Sequence, residues 1–399
     1  MNGLNRHTGQ PRDEHYMARA LQLARRGAGF TSPNPAVGAV IVKGGRIIGE
    51  GYHRRAGAPH AEVEALRRTK SKARGATLYV TLEPCNHAGR TPPCCDAILA
   101  SGISRVVIAA NDPNPITDGR GIARLKRSGL TVVTGVFARE AQQMNEPFWK
   151  AMCSRMPFVV VKVGQSLDGK IATVGGESRW ITSAAARRAA HQWRSRVDAI
   201  LVGVNTVIRD DPRLTVRGFR HRPDRPVKII LDSRLRAPVG ARCLSASSPA
   251  STLIATTVRG GRRRAALLRR GVDILTLPAH HGRVPLRRLC RLLVRRGLQS
   301  ILIEGGGEVV AGAFTERIVD RVVFFIAPTL IGGRLAPTSL EGLGISRLGQ
   351  AIRLADVTYR QVGPDLCVEG RVVYPKGRNK RQARNRRIPS QPSMSQKRR

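Results

Sequence analysis

A histidine and a glutamate stand two apart in His60-Ala61-Glu62, followed by Pro84-Cys85 and, after Arg90-Thr91-Pro92-Pro93, by Cys94. One imidazole, one carboxylate and two thiols in this order suit a zinc-dependent deaminase. Zinc favours four nitrogen and sulfur ligands, and a catalytic site keeps one of those positions for water. His60, Cys85 and Cys94 are the three expected ligands, two thiolates and a neutral imidazole balancing the charge of the ion. The acidified water attacks the amino-bearing carbon of a pyrimidine. Glu62 is the expected proton shuttle, from water to ring and then to departing ammonia. Cys95 is expected to point away and pack, and His87 to lie in a loop near substrate. Eight residues, Asn86 to Pro93, separate the two cysteines. The general deaminase pattern has two there, so this longer loop must wall part of the pocket.

Residues at i and i+2 do not face one another on a regular helix. His60 and Glu62 converge only if His60 stands at a helix start with non-helical backbone, and the spacing predicts that helix over 60–68. Pro92-Pro93 suits helix entry at Cys94, where the helix dipole favours a thiolate. Asp13 is read as the cap of a helix buried through Met17, Ala20, Leu21 and Ala24 and closed by Gly27. Val37–Val42 and Arg46–Tyr52 form a hairpin across Gly44-Gly45. Strands are expected at 77–82, 105–110 and 131–134, and helices at 94–100 and 119–127. Pro147 and Pro157 predict a break near 145–157. Beyond it a second α/β unit has strands expected at 158–163, 199–202, 227–231, 252–254, 300–303 and 321–326. An antiparallel pair at 357–362 and 366–373 closes it. The division expected is 13–146, 157–374 and a basic tail, 375–399. Within the arginine-rich 259–297, Leu286, Leu289, Cys290 and Leu293 mark a helix with a buried stripe and a solvated basic face.

The chain has 399 residues, 41% of them apolar, which points to two globular domains. No apolar run is long enough for a membrane span, and Met1 to Arg12 lacks the apolar core of a secretory signal. Seven cysteines, odd in number and irregular in spacing, argue for reduced thiols. A cytoplasmic enzyme is the expectation. The formal charge is +42, and removing the ten Lys and Arg of 376–399 still leaves +32. The tail reads as disordered. A basic surface attracts phosphorylated substrates and dinucleotides. Non-specific nucleic-acid binding enters only as a property of the tail, and 4% aromatic residues leave little for base stacking.

Ser32-Pro33-Asn34-Pro35-Ala36-Val37-Gly38, Gly49-Glu50-Gly51-Tyr52-His53, His60-Ala61-Glu62-Val63 and Glu83-Pro84-Cys85 through Cys94 resemble the bifunctional deaminase–reductases of riboflavin biosynthesis. The resemblance implies an α/β architecture: a cytidine-deaminase-like α/β/α domain, then a dihydrofolate-reductase-like α/β domain. It implies hydrolytic deamination of 2,5-diamino-6-(5-phosphoribosylamino)pyrimidin-4(3H)-one, with His60, Cys85 and Cys94 on one zinc ion and Glu62 catalytic. Asn86 stands where serine is expected and is no ligand. Asn111 to Pro115 is expected to line the same pocket.

The second half is less legible by physics alone. Ile301-Leu302-Ile303-Glu304-Gly305-Gly306-Gly307 is a strand running into glycines ahead of a helix, a junction able to hold a pyrophosphate. It is not a Rossmann fingerprint, and Asp168-Gly169 alone reads as a turn. The runs 164–172, 177–183, 210–217 and 304–306 are similar to the family's reductase domain. That similarity implies NADPH, contacted by Gly164, Trp180, Thr206, Asp210, Ser233, Gly306 and Gly307. It implies substrate contacts from Ser178, Arg194, Leu214, Arg217 and Glu304, and hydride delivery to C1 of the opened ribose. Arginine suits a sugar phosphate, a motive for Arg194 and Arg217. A homo-oligomer with no membrane association is expected. The alternative reading is a nucleic-acid base deaminase with a basic tail.

Overall fold

The computed structural model describes residues 11–69, 71–89, 92–222, 224–244 and 251–375, so the basic tail beyond Pro375 lies outside the described residues. The first helix, α1 (Pro11–Ala24), buries Met17, Ala20, Leu21 and Ala24 as its periodicity requires. Asp13 does not cap it. It lies buried inside the first turn, where its carboxylate accepts from Arg105 at 2.9 and 2.7 Å and from the Tyr79 hydroxyl at 2.9 Å. A buried aspartate needs a full set of donors, and the guanidinium fork on a neighbouring strand offers a better set than a helix end. That bond holds the Asp13 carboxyl below the usual carboxylate range.

The hairpin forms as β1 (Gly38–Lys43) and β2 (Arg46–Tyr52), with a register irregularity at Ile41/Val42. Then come α2 (Ala61–Arg68), β3 (Thr77–Val80), α3 (Cys94–Ala100), β4 (Arg105–Ile108), α4 (Arg120–Arg127) and β5 (Thr131–Thr134). The sheet order is β2-β1-β3-β4-β5, with β1 antiparallel to both neighbours and β3 to β5 parallel. Strand alternation splits its core. Ala39, Ile41, Leu78 and Ile108 pack with Ala61 and Ala65 of α2 on one face; Val40, Tyr79 and Val107 pack with Met17 of α1 on the other.

The break expected near 145–157 is instead helical: α5 (Ala138–Met144) is followed at once by α6 (Glu146–Ser154). Pro147 falls in the first turn of α6, where its missing N–H has no partner to lose. The Asn145 side chain anchors this junction, accepting from Ala36 N at 2.8 Å and donating to Ala36 O at 2.9 Å. Phe148 of α6 is buried in the first sheet's core, while Lys150 reaches Asp320 of the second unit at 2.5 Å.

The second unit contains β6 (Phe158–Ser166), α7 (Ala184–Arg194), β7 (Ala199–Gly203), α8 (Val204–Asp210), β8 (Val227–Leu231) and β9 (Thr252–Thr256). It continues with α9 (Arg262–Arg269), β10 (Asp273–Thr276), α10 (Leu286–Arg295), β11 (Ser300–Ile303), α11 (Gly307–Thr315), β12 (Arg321–Ala327), β13 (Arg353–Val362) and β14 (Asp365–Val373). Among the described residues these strands form a nine-stranded sheet ordered β10-β9-β8-β7-β11-β6-β12-β14-β13. It is parallel from β10 to β12 and closes with the expected antiparallel pair. The arginine-rich stretch hides α9 and β10. Leu267 alone is buried in α9, and β10 is a partly exposed edge strand without clear alternation. Insertion of β11 between β7 and β6 brings the carboxyl ends of these strands to one rim, where ligands of open parallel sheets bind.

Candidate active sites: a histidine–dithiol centre and a glycine-rimmed cleft

His60 is the N-cap of α2, with extended backbone (φ −72°, ψ 164°). This lets the imidazole turn toward the side on which Glu62, in the first helical turn, is buried. Glycines in β2 let α2 lie close: a Cβ on Gly51 would meet Ala61 O at 2.3 Å, and one on Gly49 would meet Ala65 O at 2.4 Å. Cys94 opens α3 directly after Pro93, and its backbone N–H donates to Cys85 Sγ at 3.3 Å. His60 Nδ1 lies 3.1 Å from Cys94 Sγ and 3.5 Å from Cys85 Sγ, and the three donor atoms lie within 4.8 Å of one another. Ligands of one tetrahedral zinc stand roughly 3.5–3.8 Å apart, so this nitrogen and two sulfurs fit that ion. Hydrogen bonding from Cys94 and His60 lowers the Cys85 thiol, while the bond to Cys85 and burial raise Cys94, so Cys85 is the sulfur poised as thiolate. Burial pushes the Glu62 carboxyl up to about 7, so it exchanges a proton near neutrality.

Residues that sequence reasoning left without a role hold this centre. His53 is buried, its ring 5.2 Å from that of His60. Its Nδ1 faces Pro59 O at 3.1 Å and its Nε2 faces Asn34 Nδ2 at 3.1 Å. A carbonyl on one side requires Nδ1–H there, leaving Nε2 to accept, and burial lowers its pKa further toward the neutral ring. Glu83, also buried, accepts from the N–H groups of Asp112, Gly119, Gly121 and Ile122 at 3.0–3.2 Å. It thereby pins the 112–122 segment against the Cys85 loop. A carboxylate preceding Pro84-Cys85 at the end of a buried strand was the available signal. Cys95 packs, its Sγ 3.6 Å from Pro84 O. Asn86 accepts from Arg124 at 2.7 Å and is no part of the metal cluster. His87 is half-buried beside the cysteine loop, with Nδ1 buried and unpartnered.

The second site is a cleft of about 2720 Å³ at the carboxyl rim of the nine-stranded sheet. Gly164, Ser178, Trp180, Arg194, Thr206 and Asp210 line it, as do Arg217, Ser233, Glu304, Gly306 and Gly307. Gly306 has φ +78° and Gly307 begins α11; a Cβ on Gly307 would meet Thr338 O at 2.4 Å. A Cβ on Gly305 would meet Thr206 Oγ1 at 3.0 Å. Glycine is thus required at 305 and 307 by the close approach of Thr206 and Thr338, and the turn they allow brings the α11 N-terminus, a position suited to a dinucleotide phosphate, to the cleft. Ser178 donates to Asp210 at 3.1 Å, and Arg179 donates to Asp210 O. Trp180 is 67% exposed and stacks against Arg187 at 4.3 Å.

The structure adds detail to two of the residues expected at the substrate. Leu214 does not line the cleft: its side chain is buried in the core and its backbone is left-handed (φ +51°), so its only route to a ligand is its main chain. Arg194 lines the cleft with its guanidinium already engaged within the protein. Its Nε and Nη2 donate to Glu304 at 2.5–3.0 Å, and its Nη1 donates to Thr215 O at 3.0 Å. A buried carboxylate without a cation would be too costly, so Glu304 claims the arginine. Lys162 adds a second cation 3.9 Å from Glu304. Burial depresses this lysine while Glu304 opposes that effect. A lysine inside the apolar run of β6 was its overlooked signal. Arg217 is exposed to the cleft, and its backbone N–H donates to His191 Nδ1 at 3.2 Å. Burial, with Arg194 and Arg217 nearby, pulls His191 down to about 4 and keeps it neutral. Asp168 does more than turn: it accepts from Ile331 N at 3.1 Å and Gly332 N at 2.7 Å, tying that loop across the rim.

Comparison with known proteins matches residues 10–110 to the cytidine and deoxycytidylate deaminase zinc-binding region and 157–368 to the RibD C-terminal domain. The chain is 43% identical over 356 residues to the riboflavin biosynthesis protein RibD of Aquifex aeolicus, covering 89% of this chain and 97% of that one. It is 43% identical over 371 residues to RibD of Escherichia coli, covering 89% and 98%. The fold superposes on Acinetobacter baumannii RibD with TM-score 0.83 at 37% identity, covering 91% and 99%. A solved deaminase/reductase from Thermotoga maritima gives TM-score 0.78 at 35% identity, covering 90% and 98%.

Proposed function

The chain belongs to the RibD family of riboflavin biosynthesis proteins, and from that premise we propose how its own residues divide the work. It is a bifunctional enzyme with a cytidine-deaminase-like domain followed by a dihydrofolate-reductase-like domain. The first half hydrolytically deaminates 2,5-diamino-6-(5-phosphoribosylamino)pyrimidin-4(3H)-one, and the second reduces the ribosyl side chain of the product to ribityl, with zinc and NADPH as cofactors. Boundaries at 13–146 and 157–374 belong to the proposal, with α6 as a brace between the units.

In the first half His60, Cys85 and Cys94 hold the metal, which supplies the Lewis acidity that sharpens a water into a nucleophile. Glu62 takes one proton from the attacking water and passes it to the ring nitrogen, then relays the remaining hydroxyl proton to the amine, so that ammonia leaves as the carbonyl forms. His53 and Asn34 orient the neighbouring ring and keep His60 turned inward. The observation that carries this reading is the convergence of three donor atoms within 4.8 Å beside a buried Glu62.

In the second half NADPH supplies the hydride, and the protein supplies position and charge. Gly164, Trp180, Thr206, Asp210, Ser233, Gly306 and Gly307 are assigned to the cofactor. Ser178, Arg217, Glu304 and the main chain of Leu214 are assigned to the substrate. Arg194 acts through Glu304, holding that carboxylate ionised and in one orientation. Arg217 is the guanidinium left to meet the sugar phosphate.

None of the seven cysteines is in a disulfide, in keeping with the cytoplasmic setting that belongs to the proposal; among the described residues no helix is long and apolar enough to cross a membrane. A homo-oligomer is part of the proposal. Leu330 and Leu348 are 73% and 89% exposed in the segment between β12 and the outermost strand β13, and a second copy would cover them. Light scattering on the purified chain tests this, a monomer at micromolar concentration being the contrary result. The nucleic-acid base deaminase is not favoured, since the second unit has no task in it. The function is tested by supplying the diaminopyrimidine nucleotide and NADPH and counting products. One ammonia and one NADP⁺ per turnover are expected, and NADPH oxidation without ammonia release would contradict the order of steps.

A further inference from the structure

Helix α10 has two opposite stripes. Leu286, Leu289, Cys290 and Leu293 are buried against the sheet, while Arg288, Arg291 and Arg295 project outward at helical spacing. Their neighbours are engaged within the protein: Arg296 pairs with Asp273 at 2.5 Å, and the Arg287 guanidinium donates to two backbone carbonyls, Glu316 O at 2.7 Å and Arg317 O at 3.3 Å. The side chains of Arg288, Arg291 and Arg295 have no ion pair or hydrogen bond among the described residues, and none lines the catalytic cleft. Residues four apart on a helix are displaced by about 6 Å along its axis, so the stripe is a row of closely spaced cations.

The tertiary structure adds a neighbour that the sequence separates by some eighty positions. Arg317 donates to Pro375 O at 2.6 Å and also accepts at its own carbonyl from Arg287 at the start of α10. The chain therefore leaves the described fold beside this helix, and the 24 residues that follow include ten Lys and Arg and no acid. We propose that the exposed arginine stripe of α10 is a docking surface for the phosphate backbone of nucleic acid, next to the point where the basic tail departs.

The chemistry selects this partner. Arginine forks match phosphate oxygens in pairs, and the stripe contains no lysine. An anionic membrane surface would call for exposed apolar or aromatic residues interleaved with the cations, whereas every fully exposed position of α10 is arginine and Leu292 and Val294 are only half-exposed. Binding is by charge, without base readout, and independent of both catalytic centres.

The test uses the full chain and labelled RNA and duplex DNA of about 20 units, read by fluorescence anisotropy over a salt series. Binding should weaken steeply with salt. The triple variant R288E/R291E/R295E should bind at least tenfold more weakly and lower the logarithmic salt slope by about two to three. The neutral variant R288Q/R291Q/R295Q should fall between. Ammonia release and NADPH oxidation, unchanged in both, verify that they are folded. Truncation after Pro375 should weaken binding while leaving a residue that the triple reversal removes. Unaltered affinity in the folded triple variant overturns the proposal, as does complete loss on truncation alone. Binding to phosphatidylserine vesicles in preference to either nucleic acid overturns it as well.

Discussion

The two sites are built in opposite ways. The first is a point: three donor atoms within 4.8 Å, delivered by two helix starts and one loop, with a single buried carboxyl beside them. The second is an extended rim, a cleft of about 2720 Å³ whose lining comes from segments spread over more than 150 residues and mixes glycines with arginines, acids and apolar side chains. A point site depends on side-chain identity, because a metal accepts few ligand types in few geometries. A rim site depends on where strands end, and many residue types satisfy it. Single substitutions should therefore silence the first site and erode the second.

The largest expected effect is Glu62→Gln, which should lower ammonia release by about 10³-fold. Reduction of the already deaminated nucleotide should continue at its full rate, and loss of both in a folded protein would break the separation of the sites. Next is Glu304→Gln. It leaves Arg194 and Lys162 buried without their carboxylate and should cost about 3 kcal/mol in urea unfolding of the second half, with deamination untouched. Burial raises the Glu304 carboxyl, but Arg194 and Lys162 outweigh this and its pKa is lowered. Its stabilisation is thus present above the unfolded carboxylate range and disappears as pH falls through the folded value.

Arg217→Ala should raise the KM of reduction roughly tenfold with little change in kcat, a loss of uniform binding. An equal loss on Arg194→Ala confined to KM would argue that Arg194 grips the phosphate after all. The smallest effect concerns His191. Its folded pKa of about 4 lies below the unfolded value near 6.5. The unfolded chain binds the extra proton between those values, so the second half loses stability as pH drops through that window. Because the ring is only partly buried, solvent screening reduces this to about 1 kcal/mol. His191→Asn should flatten the dependence, measured as the melting temperature of the second half from pH 7 to 4.5; an unchanged slope would dismiss the neutral-imidazole account.

The legibility of the two halves follows the same contrast. His60, Glu62, Cys85 and Cys94 were readable because metal chemistry restricts types and spacing together. Hairpin glycines and alternating apolar runs placed β1 to β5 almost to the residue. Arg194 was legible only in part, since a guanidinium suits a phosphate and a buried glutamate equally and only the packing shows Glu304 beside it. Pro147 misled because a proline breaks a helix or begins one according to its position in the turn. Lys162, Glu83 and His53 went without a role because their partners lie far away in sequence or on the backbone.

By itself the sequence determined the local chemistry: which atoms can bind a metal, where helices begin, and which strands are buried. Those properties depend on residues within a few positions of one another. The tertiary structure alone decided that β11 slots between β6 and β7, that Glu304 takes Arg194, and that the tail departs beside α10. Such pairings are chosen by competition among many chemically equivalent partners, and only the folded arrangement of strands settles the distances.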